Sequence, residues 1–182
     1  MYKVNDKRFW KNSAKECAYI GVFVATLIAA QAALAVVAGV ELVSVLLATF
    51  AFVFGVRRGV IAATAFSLLR TLVFGFSVPV FCLYILYYNA FALIMGLLQK
   101  AVKNPVKGLF FIVLTVCVCT MFFTLLDDII TPLYLGLSAQ SRKVYFYASL
   151  PVMGVQVACA ALSTAALFIP LHKVFSWVKN RL

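Results

Sequence analysis

Long apolar runs dominate this chain, separated by short segments that carry its charges, glycines and prolines. The hydrocarbon core of a bilayer is crossed by roughly 20 apolar residues in helical form, so runs of this kind predict membrane helices. Residues 1–16, MYKVNDKRFWKNSAKE, are polar and basic, and Phe9 and Trp10 among the charges predict an amphipathic arm on the headgroups. The first helix is expected over about 17–39; it contains an Ala-Gln-Ala triplet resembling a signal-peptidase site but stays apolar well beyond it, which favours an uncleaved helix. Further helices are expected over about 40–54 and 60–74, both short for spans and joined by the Gly55-Val56-Arg57-Arg58-Gly59 turn. Gly75 and Pro79 break the chain before a fourth helix at about 80–98, and the polar link QKAVKNPVK precedes a fifth at about 108–126. A long loop to about Tyr147 and a sixth helix at about 148–170 follow, leaving 171–182 as a basic tail. The expected fold is therefore an all-α integral membrane protein, one domain over 1–182 with six transmembrane helices.

Composition sharpens that reading. Of 182 residues, 65% are hydrophobic and 12% charged, against roughly a quarter charged in an ordinary soluble domain, which excludes a soluble globular fold. The net charge of +11 is organised by topology and does not call for a nucleic-acid partner. Lys3, Lys7, Arg8, Lys11, Lys15, Arg57, Arg58, Lys100, Lys103, Lys107, Lys173, Lys179 and Arg181 fall on one side of the predicted crossings. Arg142 and Lys143 fall on the other, with Glu41, Asp127 and Asp128. Because Lys and Arg in short loops are retained in the cytoplasm, both termini are expected there. The five cysteines lie mostly inside apolar runs without a CxxC pair, and support neither disulfides nor zinc.

In the first helix, Ala25, Ala29 and Ala33 recur at i, i+4 and i+8 with Ala32 and Val36 beside them, a strip of small side chains on which another helix can approach closely. The strip serves either packing within the chain or docking of a partner. A six-helix protein with cytoplasmic termini, this AxxxA pattern (Ala29 to Ala33), a Phe54-Gly55-Val56-Arg57-Arg58-Gly59 turn and a basic tail resembles the substrate-binding S components of energy-coupling factor (ECF) transporters. That resemblance implies capture of a vitamin or related micronutrient from outside a bacterial or archaeal cytoplasmic membrane. It also implies docking of the Ala25, Ala29 and Ala33 face on a transmembrane coupling subunit driven by two ABC ATPases, with transport by reorientation, or toppling, of the binding subunit. No enzymatic activity or cofactor of its own is implied, and the chain has no GxxxxGK[ST] phosphate loop.

The pocket has to be read from this sequence itself. Polar groups within a bilayer are costly and face protein, water or ligand. Arg70 lies about 17 Å beyond the cytoplasmic turn at 1.5 Å per residue, and either pairs with Glu41 or receives a ligand carboxylate or phosphate. Tyr84, Tyr87 and Tyr88 share a helix face beside Asn89, as ring-stacking and hydrogen-bonding groups or as helix packing. Gln31 and Gln156 are either ligand contacts or interhelical links. The predicted loop 127–147, with Asp127, Asp128, Tyr134 and Tyr145, is a candidate gate over an outward-facing pocket, unless the two acids merely end the helix in water. The combination favours a planar, anionic micronutrient. Cys117 and Cys119 stand about 200° apart on a helix and cannot chelate one metal ion, and no Ser, His and Asp share a depth. The alternative is an accessory membrane protein whose strip holds a helical complex together and whose polar groups only join helices; a membrane enzyme would need a cluster of acids or a nucleophile with a base.

Overall fold

The structure is a computed structural model that describes residues 6–34, 42–102 and 104–181, with residues 6–13 described by their backbone alone. The described residues form six α-helices and no strand: α1 (Asp6–Leu34), α2 (Val43–Phe54), α3 (Val56–Phe74), α4 (Val78–Ala101), α5 (Leu109–Tyr134) and α6 (Ala139–Arg181). Four of them, α1 from Ala14 onward, α4, α5 and α6, are long and apolar enough to cross a membrane. The all-helical class is as the sequence pattern predicts, and a multi-pass membrane protein is the coarse description that the four helices support.

The organising element is the shortest helix. α2 is apolar nearly all round, and every residue in it except Leu46 is buried. A helix of that character belongs inside protein, and α2 packs against each of the other five. Around it α1, α3, α4, α5 and α6 stand in a ring in which α1 meets α3, α3 meets α4, α4 meets α5 and α5 meets α6. The ring stays open between α6 and α1, whose backbones do not approach one another.

Two turns in this arrangement require glycine. Gly55 alone joins α2 to α3 at φ 87°, and Gly75 ends α3 at φ 94°, both in a region side-chain-bearing residues rarely adopt. Close packing follows at the first turn. A Cβ on Gly96 of α4 would lie 2.7 Å from the backbone nitrogen and Cα of Val56, and one on Gly59 would lie 2.8 Å from the Ala51 Cβ. In lipid, where apolar contact alone gives little reason to associate, small residues that bring backbones together supply the dispersion contacts. The carbonyl left without an intrahelical partner at the end of α2 is also satisfied: Lys179 Nζ of α6 donates to Val53 O at 2.5 Å, and Gln99 Nε2 of α4 reaches the same oxygen at 3.4 Å. A cation at a helix C-terminus also complements the helix dipole.

Several boundaries differ from the sequence pattern. α1 begins within the predicted arm at Asp6, and residues 35–39 of the first predicted helix lie outside the described residues. α3 starts at Val56, so Gly59 is inside a helix, and α6 continues through Pro170 and takes in nearly all of the predicted tail. The largest correction concerns the candidate gate: there is no long loop over 127–147. Asp127, Asp128 and Tyr134 lie in α5 and Tyr145 lies in α6. The connection is a four-residue turn in which Gly136 (φ 61°) donates its N–H to Leu133 O and Leu137 donates to Pro132 O, the paired bonds of a Schellman motif. Ser138 Oγ then accepts the Ser141 N–H and caps α6. The acids do not end α5, because their carboxylates are used by the facing helix.

Gly96→Ala should destabilise the fold by about 1–3 kcal/mol through overpacking against the Val56 backbone. Gly21→Ala, at a position with open space around the new Cβ, should not. Thermal unfolding of the two variants in detergent, followed by size-exclusion recovery of monodisperse protein, measures the contrast.

Candidate functional site

Gln31, Arg70 and Tyr84 come from three helices and meet at the end of the bundle away from the Gly55 turn. The Arg70 guanidinium carbon sits 4.1 Å from the centre of the Tyr84 ring and 5.6 Å from that of Phe74, within cation–π range. Gln31 Nε2 donates to the Tyr84 hydroxyl at 2.9 Å. Two polar atoms of this group are buried without a hydrogen-bond partner: Arg70 Nε, a donor, and Gln31 Oε1, an acceptor. Each such atom carries a desolvation cost that a complementary group would relieve. Glu41, the predicted ion-pair partner of Arg70, lies outside the described residues.

Tyr84, Tyr87 and Tyr88 of α4 are all buried and form one aromatic cluster with Phe66, Phe91 and Phe123. Phe123 is the residue that sequence reasoning missed. It lies edge-on to Tyr84 and Tyr87, at 5.8 and 4.8 Å between ring centres, and its side toward α6 lines a cavity of about 260 Å³. Nothing in the run MFFTLL marks it out from the other sixteen phenylalanines.

That cavity lies between α5 and α6 and is lined by Thr124, Asp127, Tyr145, Ser149 and Gln156 besides Phe123 and small apolar side chains. It brings together Asp127, Tyr145 and Gln156, which are far apart in sequence. Tyr145 donates to Asp127 Oδ2 at 3.0 Å and Thr131 donates to Asp127 Oδ1 at 2.6 Å. Ser149 donates to Asp128 Oδ2 at 2.7 Å, and Thr124 donates to Gln156 Oε1 at 2.8 Å. Because the α5–α6 hairpin is tight, these acids are held by hydroxyls from across it and do not stand free in a loop.

The remaining predicted residues stand apart. Asn89 accepts from the Thr64 hydroxyl at 2.8 Å and donates to Ile85 O at 2.8 Å, so its amide joins α3 to α4. Tyr134 is exposed on the last turn of α5. Ala25, Ala29 and Ala33 are exposed along α1, so the small-residue strip is not used for packing among the described residues. Those residues contain no group of three or more His, Cys, Asp or Glu side chains arranged to hold a metal ion.

The predicted site residues thus fall into two neighbouring groups with Phe123 as the wall between them. On one side a cation and an unsatisfied amide oxygen flank a tyrosine; on the other, carboxylate, amide and hydroxyl groups line a small cavity. Together they offer charge-assisted donation, amide acceptance and aromatic stacking to a small polar ligand. No protein-family model, curated protein or solved structure matches the chain.

A double-mutant cycle on Thr64→Val and Asn89→Leu should return a coupling of about 0.6 kcal/mol in thermal or denaturant unfolding, the usual size for a hydrogen bond between membrane helices. Strictly additive effects would show that the two side chains do not meet.

Proposed function

We propose that this chain is the substrate-binding subunit of an ECF-type importer, a six-crossing protein with both termini in the cytoplasm. In this reading it captures a micronutrient with an anionic group and a planar ring from outside the cell. The observation that carries the proposal is the Arg70 guanidinium, held among helices on the Tyr84 ring with its Nε unsatisfied and with Gln31 Oε1 unsatisfied beside it. A lone arginine in an apolar bundle is costly to keep, and ligand binding gives it a use. A ligand carboxylate or phosphate takes paired N–H donors from Arg70, whose cation–π contact, about 0.5–2 kcal/mol, is weak enough to exchange. A ligand N–H or O–H meets Gln31 Oε1, and the Tyr84 and Phe123 rings flank its planar part. The Asp127, Tyr145 and Gln156 cavity takes the ligand's polar remainder.

Delivery then depends on partners. The exposed Ala25, Ala29 and Ala33 face of α1 docks on a transmembrane coupling subunit, and two ABC ATPases drive reorientation of the loaded bundle. Two features of the fold support a common orientation for this cycle. Glu16 in the first half of α1 pairs with Arg58, and Lys179 near the end of α6 reaches Val53, so the first half of α1 and the last turn of α6 both meet the α2–α3 connection. Arg70, Gln31, Tyr84 and the α5–α6 acids sit toward the other end.

An accessory protein of a membrane complex is the second reading, favoured by the Thr64–Asn89 and Thr124–Gln156 bonds, in which predicted ligand groups join helices. Purification of the tagged chain from its native host in mild detergent, with mass spectrometry of the proteins and small molecules that accompany it, separates the two. Two ABC ATPases, a helical coupling protein and a bound acidic small molecule are expected; a stable complex with neither ATPases nor ligand contradicts the transporter reading. With the recovered ligand, Arg70→Gln should weaken binding about tenfold to a hundredfold by calorimetry, the worth of about 1.5–3 kcal/mol for a hydrogen bond to a charged group. Unchanged affinity in the folded variant removes Arg70 from the site.

A further inference from the structure

The opening in the helix ring between α6 and α1 is a groove of about 650 Å³ with α2 at its floor. Its walls are almost wholly apolar: Val22 and Phe23 of α1, Leu46 and Phe50 of α2, and Val174 and Phe175 of α6 are representative. Rings close the floor, where Phe23 stacks on Phe50 at 3.9 Å and Phe175 lies edge-on to both at 5.7 and 5.9 Å. The charged groups collect at one end. Lys15 and Arg181 line the groove there, and the buried Tyr19 hydroxyl has no hydrogen-bond partner. Arg181 is held over the exposed Trp177 ring at 4.1 Å, an arrangement suited to the headgroup level of a bilayer. The nearby carboxylate of Glu16 is engaged by Arg58, and neither Lys15 nor Arg181 has an ion-pair partner among the described residues.

The dimensions select the occupant. From Lys15 to Thr26 along α1 is about 16 Å, and from Leu171 to Arg181 along α6 about 15 Å, at 1.5 Å per residue. Both match half of the roughly 30 Å hydrocarbon core, the acyl layer of one leaflet. A spanning helix of another protein would need a seat along the whole core, whereas this groove is one leaflet deep, cationic at its mouth and apolar toward the midplane.

We propose that the groove between α1 and α6 is a binding site for an anionic phospholipid, with its phosphate on Lys15, Arg181 and the Tyr19 hydroxyl and its acyl chains on the Phe23, Phe50 and Phe175 floor. The lipid completes the open side of the ring and covers Leu46, the one α2 residue that protein leaves part-exposed. The site is independent of the Arg70 cluster, so it stands or falls apart from the transporter reading. Its α1 wall runs from Lys15 to Thr26, and Ala25, Ala29 and Ala33 do not line it.

The test is native mass spectrometry of the detergent-purified full chain titrated with phosphatidylglycerol or phosphatidylcholine of equal acyl length. Two interfacial cations should favour the anionic lipid about thirtyfold, equivalent to about 2 kcal/mol. The Lys15→Gln/Arg181→Gln variant should bind the two lipids equally. Val22→Trp, which fills the groove from an exposed position, should weaken both, and Arg70→Gln should change neither. Equal binding of the two lipids by the unmodified chain, an undiminished preference in the double variant, or unaltered binding by Val22→Trp would overturn the proposal. A photo-reactive side chain at Val174 in native membranes should label phospholipid; a protein adduct there instead would also overturn it.

Discussion

A helix of twelve residues spans about 18 Å, well short of a bilayer's hydrocarbon core, so α2 is tenable in a membrane only if protein surrounds it and its terminal backbone groups find partners. Both conditions are met by other parts of the chain. Five helices enclose it, and the Val53 carbonyl at its C-terminal end receives Lys179 from α6 and Gln99 from α4. Gly55, Gly59 and Gly96 allow the backbones of α2, α3 and α4 to close around that end. The close approach fixes where α3 and α4 emerge at the opposite end, and so fixes Arg70 over Tyr84. Enclosure by five helices in place of six also leaves the seam between α6 and α1 open.

The two ends of the bundle differ in chemistry as a result. At the α2–α3 turn, basic residues are used in structural bonds, Arg58 with Glu16 and Lys179 with Val53, and two further cations, Lys15 and Arg181, lie at the mouth of an apolar groove. At the other end one arginine is set among aromatic rings, and α5 and α6 hold their carboxylates between hydroxyl donors. An end that binds solute and an end that meets the lipid headgroups is the division of labour we propose. It places the small-residue strip of α1 along the surface that connects them.

Apolar run length made the helical class legible, since few residues in these segments can be anything but membrane helix or core. The reach of α5 and α6 was not legible in the same way: Asp127 and Asp128 look like loop residues until Tyr145 and Ser149 of the facing helix supply their partners, and Ser141 and Arg142 until Ser138 and Leu137 of the turn do. The local evidence for a tight hairpin was present in Leu135-Gly136-Leu137-Ser138, a glycine C-terminal signal followed by a serine N-cap. α2 and α3 illustrate the opposite limit, because run length alone does not distinguish a short span from an enclosed core helix. Among the candidate site residues, spacing along one helix correctly grouped the tyrosines of α4, but only tertiary packing joins Gln31 to Tyr84, commits Asn89 to Thr64, and inserts Phe123 between the two polar groups.

The enclosure of α2 is the claim on which the site and the groove both rest, and amide hydrogen exchange of the full chain in lipid nanodiscs, read by mass spectrometry, tests it most directly. Backbone amides of residues 47–54 should exchange more slowly than those of the exposed α6 segment 141–155, although α2 is the shortest of the described helices. Exchange over 47–54 as fast as in that exposed segment would contradict a buried central helix.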